Sequence, residues 1–271
     1  MILLLAAILP ALATADAPAA DAVKLPPPRV QYRANEASAT TIPWIDANGW
    51  RILRAPARTY YYDVAGSAAP LAAAEAFAYD AHASIHTDAA GADGFNRMVE
   101  FLKTIPDADL PAVANIGIVD DGSDEAGELM NLLSRRNILY KIVPAPEPGL
   151  AFTVRLGSKE YPAAEAADPA VLSQKIRARL GDEHRSLRIY GSEVVIARLE
   201  ASGNRARVHL LNYANRPVLG LRVRVIGTYA HQTARAFGDP TMTLQDVTAQ
   251  GGATEFTVPK LGTYAVVDLA K

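Results

Sequence analysis

Ala114-Asn-Ile-Gly-Ile-Val119, followed by Asp120-Asp121-Gly122-Ser123, is the stretch on which the fold turns. Its first six residues make an apolar run that stops at a turn-forming tetrad, the pattern of a strand buried on both faces. Glu125 to Arg136 then sets Leu129, Met130, Leu132 and Leu133 on one side of a helix, and Ile138 to Val143 is a second apolar run. Strand, helix and strand in this order predict a βαβ unit whose crossover makes the two strands parallel.

Outward from that unit, Phe152 to Leu156 reads as another strand, and Asp168-Pro169 opens a helix bearing Val171, Leu172, Ile176 and Leu180. Leu187 to Tyr190 is expected to return to the same sheet. Upstream, Thr41 to Leu53 reads as a hairpin, with Ile42 to Ile45 and Trp50 to Leu53 flanking Asn48-Gly49, a pair suited to positive φ. Tyr60 to Tyr62 and Ala83 to His86 are short strands. Between them Ser67 caps a helix with Leu71, Ala74 and Phe77 on one stripe, and from Asp93 a second helix runs to Pro106. From Glu193 the text holds strands alone, and Arg207 to Leu211 and Leu221 to Val225 alternate polar with apolar residues. That alternation predicts antiparallel sheets with one wet face, arranged as a β-sandwich.

The expected organisation is therefore an N-terminal apolar leader (1–15), an Ala/Pro-rich spacer (16–40), an α/β extension (41–110), a parallel or mixed α/β domain (111–191) and an antiparallel β-sandwich (192–271). With 271 residues the chain is long enough for two cores. Its 27 Lys plus Arg against 29 Asp plus Glu give no general attraction to a polyanion, so nucleic acid is not an expected partner. The absence of cysteine removes disulfides, thiolate metal sites and a cysteine nucleophile.

Ile2 to Ala13 is an apolar run too short to span a bilayer, and Ala13 and Ala15 supply an A-x-A cleavage pattern, so the chain is expected to be exported to the periplasm or beyond. No later stretch reaches ~18 consecutive apolar residues, so no membrane span is expected after the leader is removed.

The Ala114 to Ser123 stretch, the Gly127-Glu-Leu-Met-Asn-Leu-Leu133 helix, and the tail motifs His209-Leu-Leu-Asn-Tyr213 and Phe256-Thr-Val-Pro259 resemble the C-terminal half of secreted bacterial glycoside-hydrolase-like proteins such as the family 42 β-galactosidases. The resemblance covers roughly residues 110 to 271. It implies a glutamine-amidotransferase-like (flavodoxin-like) domain followed by a small β-sandwich, the half that serves oligomerisation rather than catalysis. A complete (β/α)8 barrel needs ~250 residues, and the sequence before the α/β domain cannot hold one.

Five residues are candidates for ligand contact. Asp120 and Asp121 follow a parallel strand at its carboxyl end, where open α/β sheets place ligands. Ser123 stands at a strand-to-helix turn, but Gly122-Ser-Asp-Glu-Ala-Gly127 is not the G-x-S-x-G spacing of a hydrolase elbow, and a helix cap explains it as well. Trp44 and Trp50 lie close to Tyr60, Tyr61 and Tyr62, and would form either a sugar-stacking platform or part of a core. His82 and His86 are too far apart on a strand to share a metal ion, His209 is expected on an exposed sheet face, and Arg135-Arg136 fits the negative end of its helix.

No catalytic residue, metal or cofactor is expected. The function anticipated is a secreted, non-catalytic protein related to glycoside-hydrolase accessory domains, acting in oligomerisation or carbohydrate binding. The rival is a small hydrolase using Asp120, Asp121 and an acid such as Glu75 or Glu125.

Overall fold

The computed structural model describes residues 12–31 and 43–271. The chain first forms β1 (Leu12–Thr14), β2 (Val23–Leu25), β3 (Arg29–Gln31), β4 (Trp44–Asp46), α1 (Gly49–Arg54), β5 (Tyr60–Val64), α2 (Ala68–Ala78), β6 (Ala83–Thr87) and α3 (Ala89–Lys103). Strands β1, β6, β5 and β2 make one parallel sheet in that order, and β3 pairs antiparallel with β4. Next come β7 (Ile116–Val119), α4 (Asp124–Arg135), β8 (Tyr140–Ile142), β9 (Thr153–Arg155), α5 (Ala163–Ala166) and α6 (Pro169–Leu180). Here β7 is central in a second parallel sheet, ordered β8-β7-β9, so the βαβ unit expected from the sequence is present.

The remaining strands are β10 (Leu187–Tyr190), β11 (Val195–Ser202), β12 (Arg205–Asn212), β13 (Val218–Ile226), β14 (His231–Ala236), β15 (Gln245–Gln250), β16 (Ala253–Leu261) and β17 (Tyr264–Ala270). They form two antiparallel sheets, β10-β13-β16-β15 and β11-β12-β17-β14. Leu187, Val223 and Phe256 of the first and Val208, Leu210 and Val267 of the second share one core. The protein is thus mixed α/β, with two parallel sheets and several antiparallel pairings.

Helix α2 joins the layers. Its sequence, Ala-Ala-Pro-Leu-Ala-Ala-Ala-Glu-Ala-Phe-Ala, has no wide polar face, and a helix apolar on all sides is a buried one. Its alanines pack with Tyr60, Tyr62 and Ile85 of the parallel sheet and with Ile196, Leu211, Tyr264 and Val266 of the antiparallel sheet in one core. The β11-β12-β17-β14 sheet therefore has no fully wet face, and His209, expected to be exposed, is 3 % exposed. Its Nδ1 lies 2.7 Å from Tyr264 Oη, and Phe77 from α2 packs edge-on to its ring.

Three further expectations need correction. Asn48-Gly49 does not turn a hairpin: Asn48 has φ of −103°, and Gly49 begins α1. Glycine is required there for space, since a Cβ would sit 2.1 Å from the Tyr79 ring. Thr41 and Ile42 of the expected strand lie outside the described residues, while Trp44 to Asp46 pairs with β3. Leu187 to Tyr190 joins not the α/β sheet but β13, antiparallel, because Leu187 completes the core between the two antiparallel sheets. Within the expected spacer, Val23–Leu25 and Arg29–Gln31 are strands. Met1 to Ala11 of the expected leader lie outside the described residues. Leu12–Thr14, its far end, pairs with β6 as an edge strand.

Candidate functional site

Asp120 and Asp121 stand where β7 ends. The chain leaves β7 for β8 on one side and later comes back to β9 on the other, so this is the point at which strand order reverses. The two carboxylates diverge. Asp120 accepts two bonds of 2.7 Å from Arg54, Nε to Oδ2 and an Nη to Oδ1, and its Oδ1 also accepts from the Gly122 N–H. Arg54 donates a third bond to the Ser123 carbonyl, and its hydrogen bond to Asp120 holds the guanidinium pKa above its ordinary value. Asp121 Oδ1 accepts from the Ser123 N–H at 2.9 Å and from Ser123 Oγ at 2.5 Å, contacts that pull its carboxyl below the usual range. Ser123 Oγ in turn accepts from the Ala126 N–H and caps α4. The turn is a braced helix start, and the hydroxyl is bonded to a carboxylate and a backbone N–H.

The aromatic residues separate into different roles. Tyr60, Tyr61 and Tyr62 are buried in β5. Trp50 lies across α4, its ring 3.0 Å from where a Cβ on Gly127 would be, with the Arg51 guanidinium 4.2 Å from its ring centre. Its Nε1 is buried with no acceptor among the described residues. Trp44 donates to Asp46 Oδ1 at 3.0 Å, and Arg135 stacks on its ring at 4.3 Å. Trp44 also lines an open cavity of about 320 Å³ with Leu132, Arg135, Arg136, Arg177 and Arg185. The sequence does not announce this cavity, because its walls come from β4, α4, α6 and the segment before β11. The run Arg135-Arg136 was the nearest signal.

Glu75 is fully buried at the centre of α2. It accepts from the Asn48 N–H (2.7 Å), Asn48 Nδ2 (3.0 Å), Tyr62 Oη (3.0 Å) and Tyr213 Oη (2.6 Å). Burial raises its pKa and the four donors oppose that shift; burial wins. This carboxyl binds α1, α2, β5 and the end of β12 together, a structural task. His86 Nδ1 lies 2.8 Å from Asp63, and no cluster of metal-ligating side chains occurs among the described residues.

No protein-family profile matches the chain, and no curated protein sequence matches it. Solved structures do. The α-L-fucosidase isoenzyme 2 of Paenibacillus thiaminolyticus superposes with a TM-score of 0.59 at 9% identity, covering 79% of this chain and 61% of the fucosidase chain. The chain thus spans about three fifths of that enzyme's length. A family 30 subfamily 8 xylanase from Clostridium acetobutylicum matches at 8% identity over 82% of this chain and 45% of its own, with a TM-score of 0.30, too low to weigh. The likeness to the fucosidase is one of fold. No helix among the described residues is long and apolar enough to cross a membrane.

Proposed function

We propose that the chain is a non-catalytic relative of glycoside hydrolases, akin to the accessory half of the family 42 β-galactosidases, and that it acts by contact with carbohydrate. One observation carries this reading: the acids best placed for chemistry are engaged by the protein itself. Asp120 lies in the fork of Arg54, Asp121 holds Ser123, and Glu75 is sealed under four donors. Glycoside hydrolysis needs two carboxyl groups facing one substrate, ~5 to 9 Å apart, with at least one free to exchange a proton. Of the two accessory roles, oligomerisation and sugar contact, the cavity beside Trp44 favours the second, since the apolar surface of Leu132 and Ile189 with polar groups around it suits a sugar ring. A glycan-binding screen with a hydrolysis readout on the same panel tests the reading. Binding without turnover is the expected result, and turnover that falls ~10²-fold in Asp120→Asn or Asp121→Asn would replace it with a hydrolase.

Export to the periplasm or beyond belongs to the same proposal and rests on Ile2 to Ala15. Cleavage there would remove β1, an edge strand of three residues, and leave β6 as the sheet edge. Material from the native host should begin near Asp16 on N-terminal sequencing; soluble protein keeping Met1 would argue for β1 as a permanent part of the sheet.

A further inference from the structure

The cavity beside Trp44 has an unbalanced lining. Arg136, Arg177 and Arg185 face it beside Arg135, which is itself engaged by the Pro43 carbonyl and the Trp44 ring, and Glu193 is the one carboxylate among its described lining residues. Just behind them, Asp182 is shared by Arg177, Arg185 and Arg188, with contacts of 3.0 to 3.5 Å. A single carboxylate cannot neutralise three guanidinium groups.

Arg136 is the least compensated of the set. The negative end of α4 does not account for it, because the Arg136 and Asn137 carbonyls are already met by Arg185 at 2.8 and 3.1 Å. The Arg136 side chain instead reaches α6, where Nε donates to the neutral Ser173 Oγ at 3.0 Å, and it has no carboxylate partner among the described residues. Burial and then the neighbouring charge of Arg177 hold its pKa below the ordinary value. Independently, Arg185, 5 % exposed, keeps a buried Nε–H with no acceptor among the described residues. Buried cations and donors without partners are costly, and an anion that accepts from a planar guanidinium relieves that cost.

We infer that the cavity binds a sugar carrying an anionic group, a carboxylate or a sulfate ester, with Arg136 meeting the charge and the apolar wall of the cavity meeting the ring. This rests on the carbohydrate reading above and names the class of sugar. The volume, about 320 Å³, is at the small end of the range of small-molecule sites. Leu132 and Ile189 give the cavity the apolar surface on which a ring's C–H face can rest.

The test is calorimetric titration of the full chain with four probes: an oligogalacturonate, its methyl ester, a sulfated galactan oligosaccharide and its desulfated form. At least one acidic probe should bind about tenfold or more tightly than its own neutral form, and the pair that shows the advantage identifies carboxylate or sulfate. Added salt and free sulfate should erode that advantage. Arg136→Gln should abolish it with unchanged thermal unfolding, and Arg136→Lys should restore part of it. Acidic and neutral forms binding alike would overturn the anionic assignment and leave the carbohydrate reading standing. No binding by any of the four would overturn both. The comparison of paired probes and the salt dependence use the unaltered protein, so they decide the matter even if a variant fails to fold.

Discussion

Tyr213 Oη donates to Glu75 Oε1 at 2.6 Å, a bond spanning 138 residues of sequence that ties the end of β12 to the middle of α2. It is one of four donors converging on a carboxyl that no water reaches, and burial also lifts the Tyr213 hydroxyl pKa well above its ordinary value, which keeps the phenol a donor. A buried acid so enclosed is strongly destabilising when its bonding is altered.

Glu75→Gln sets an amide NH2 among groups that all donate, so about 2 to 4 kcal/mol of stability should be lost, read from urea unfolding. Tyr213→Phe should cost about 1 to 2 kcal/mol. The double variant should lose less than the sum, because the second change removes a bond already broken. Full additivity would show that the pair is not coupled.

The Arg54 clamp makes a different forecast. Its two bonds to Asp120 are short, bidentate and half-sheltered, and its third, to the Ser123 carbonyl, fixes the start of α4. Asp120→Asn should destabilise by about 1 to 3 kcal/mol, and Arg54→Lys should recover little, since an ammonium cannot fork. If Arg54→Lys unfolds like the parent protein, charge alone is sufficient there.

Acid should reveal Asp182. The bonds and charges of Arg177 and Arg185 hold its carboxyl at about 2. Its folded value therefore lies below the unfolded one, and its contribution is present above the unfolded value and is lost as pH falls through about 2. The parent should melt above Asp182→Asn at pH 6, and the gap should close between about pH 4 and pH 2. A gap that does not change with pH would assign the effect to shape rather than charge.

A fragment of the antiparallel strands should not behave as a self-sufficient unit. Starting at Ser192 it lacks β10, and in either case it uncovers Ile196, Leu211, Tyr264 and Val266, which pack under α2 in the whole protein. A fragment from Ser186 should be more stable than one from Ser192, and both should bind a hydrophobic dye. A soluble Ser192 fragment that unfolds cooperatively without dye binding would show that α2 is dispensable to these sheets.

Local patterns were readable where one element's own residues decide its form. The apolar run at β7, the Ser123 cap, Asp168-Pro169 at the start of α6 and the short strand at Tyr60 to Tyr62 needed no distant partner to be recognised. Misreadings fall where a distant residue decides. Asn48-Gly49 has the chemistry of a tight turn, yet Glu75 occupies the Asn48 donors and Tyr79 takes the space over Gly49, so a helix begins there. His209 alternates as an outward residue should, and it does leave the core between the two antiparallel sheets; what covers it is Phe77, from a helix 132 residues earlier, across a ring-to-ring distance of 6.1 Å. The Asp120 and Asp121 positions were legible, but their engagement by Arg54 and Ser123 was not. The arginine-lined cavity left only the run Arg135-Arg136 as a trace in the sequence, because four separate segments build it.

The alanines of α2 act as a thickness gauge. Ala69, Ala72, Ala73, Ala74 and Ala76 have no exposure, and parallel and antiparallel layers meet on either side of them. The layers can stay this close at these five positions only if the side chains there are small. An isopropyl group in place of one of these methyls would wedge the layers apart at a single point and tilt the antiparallel half, carrying Tyr213 away from Glu75. Bulk in α2 should therefore be felt at distant sites, so that an Ala73→Val change loosens contacts several turns and strands away from where it is made.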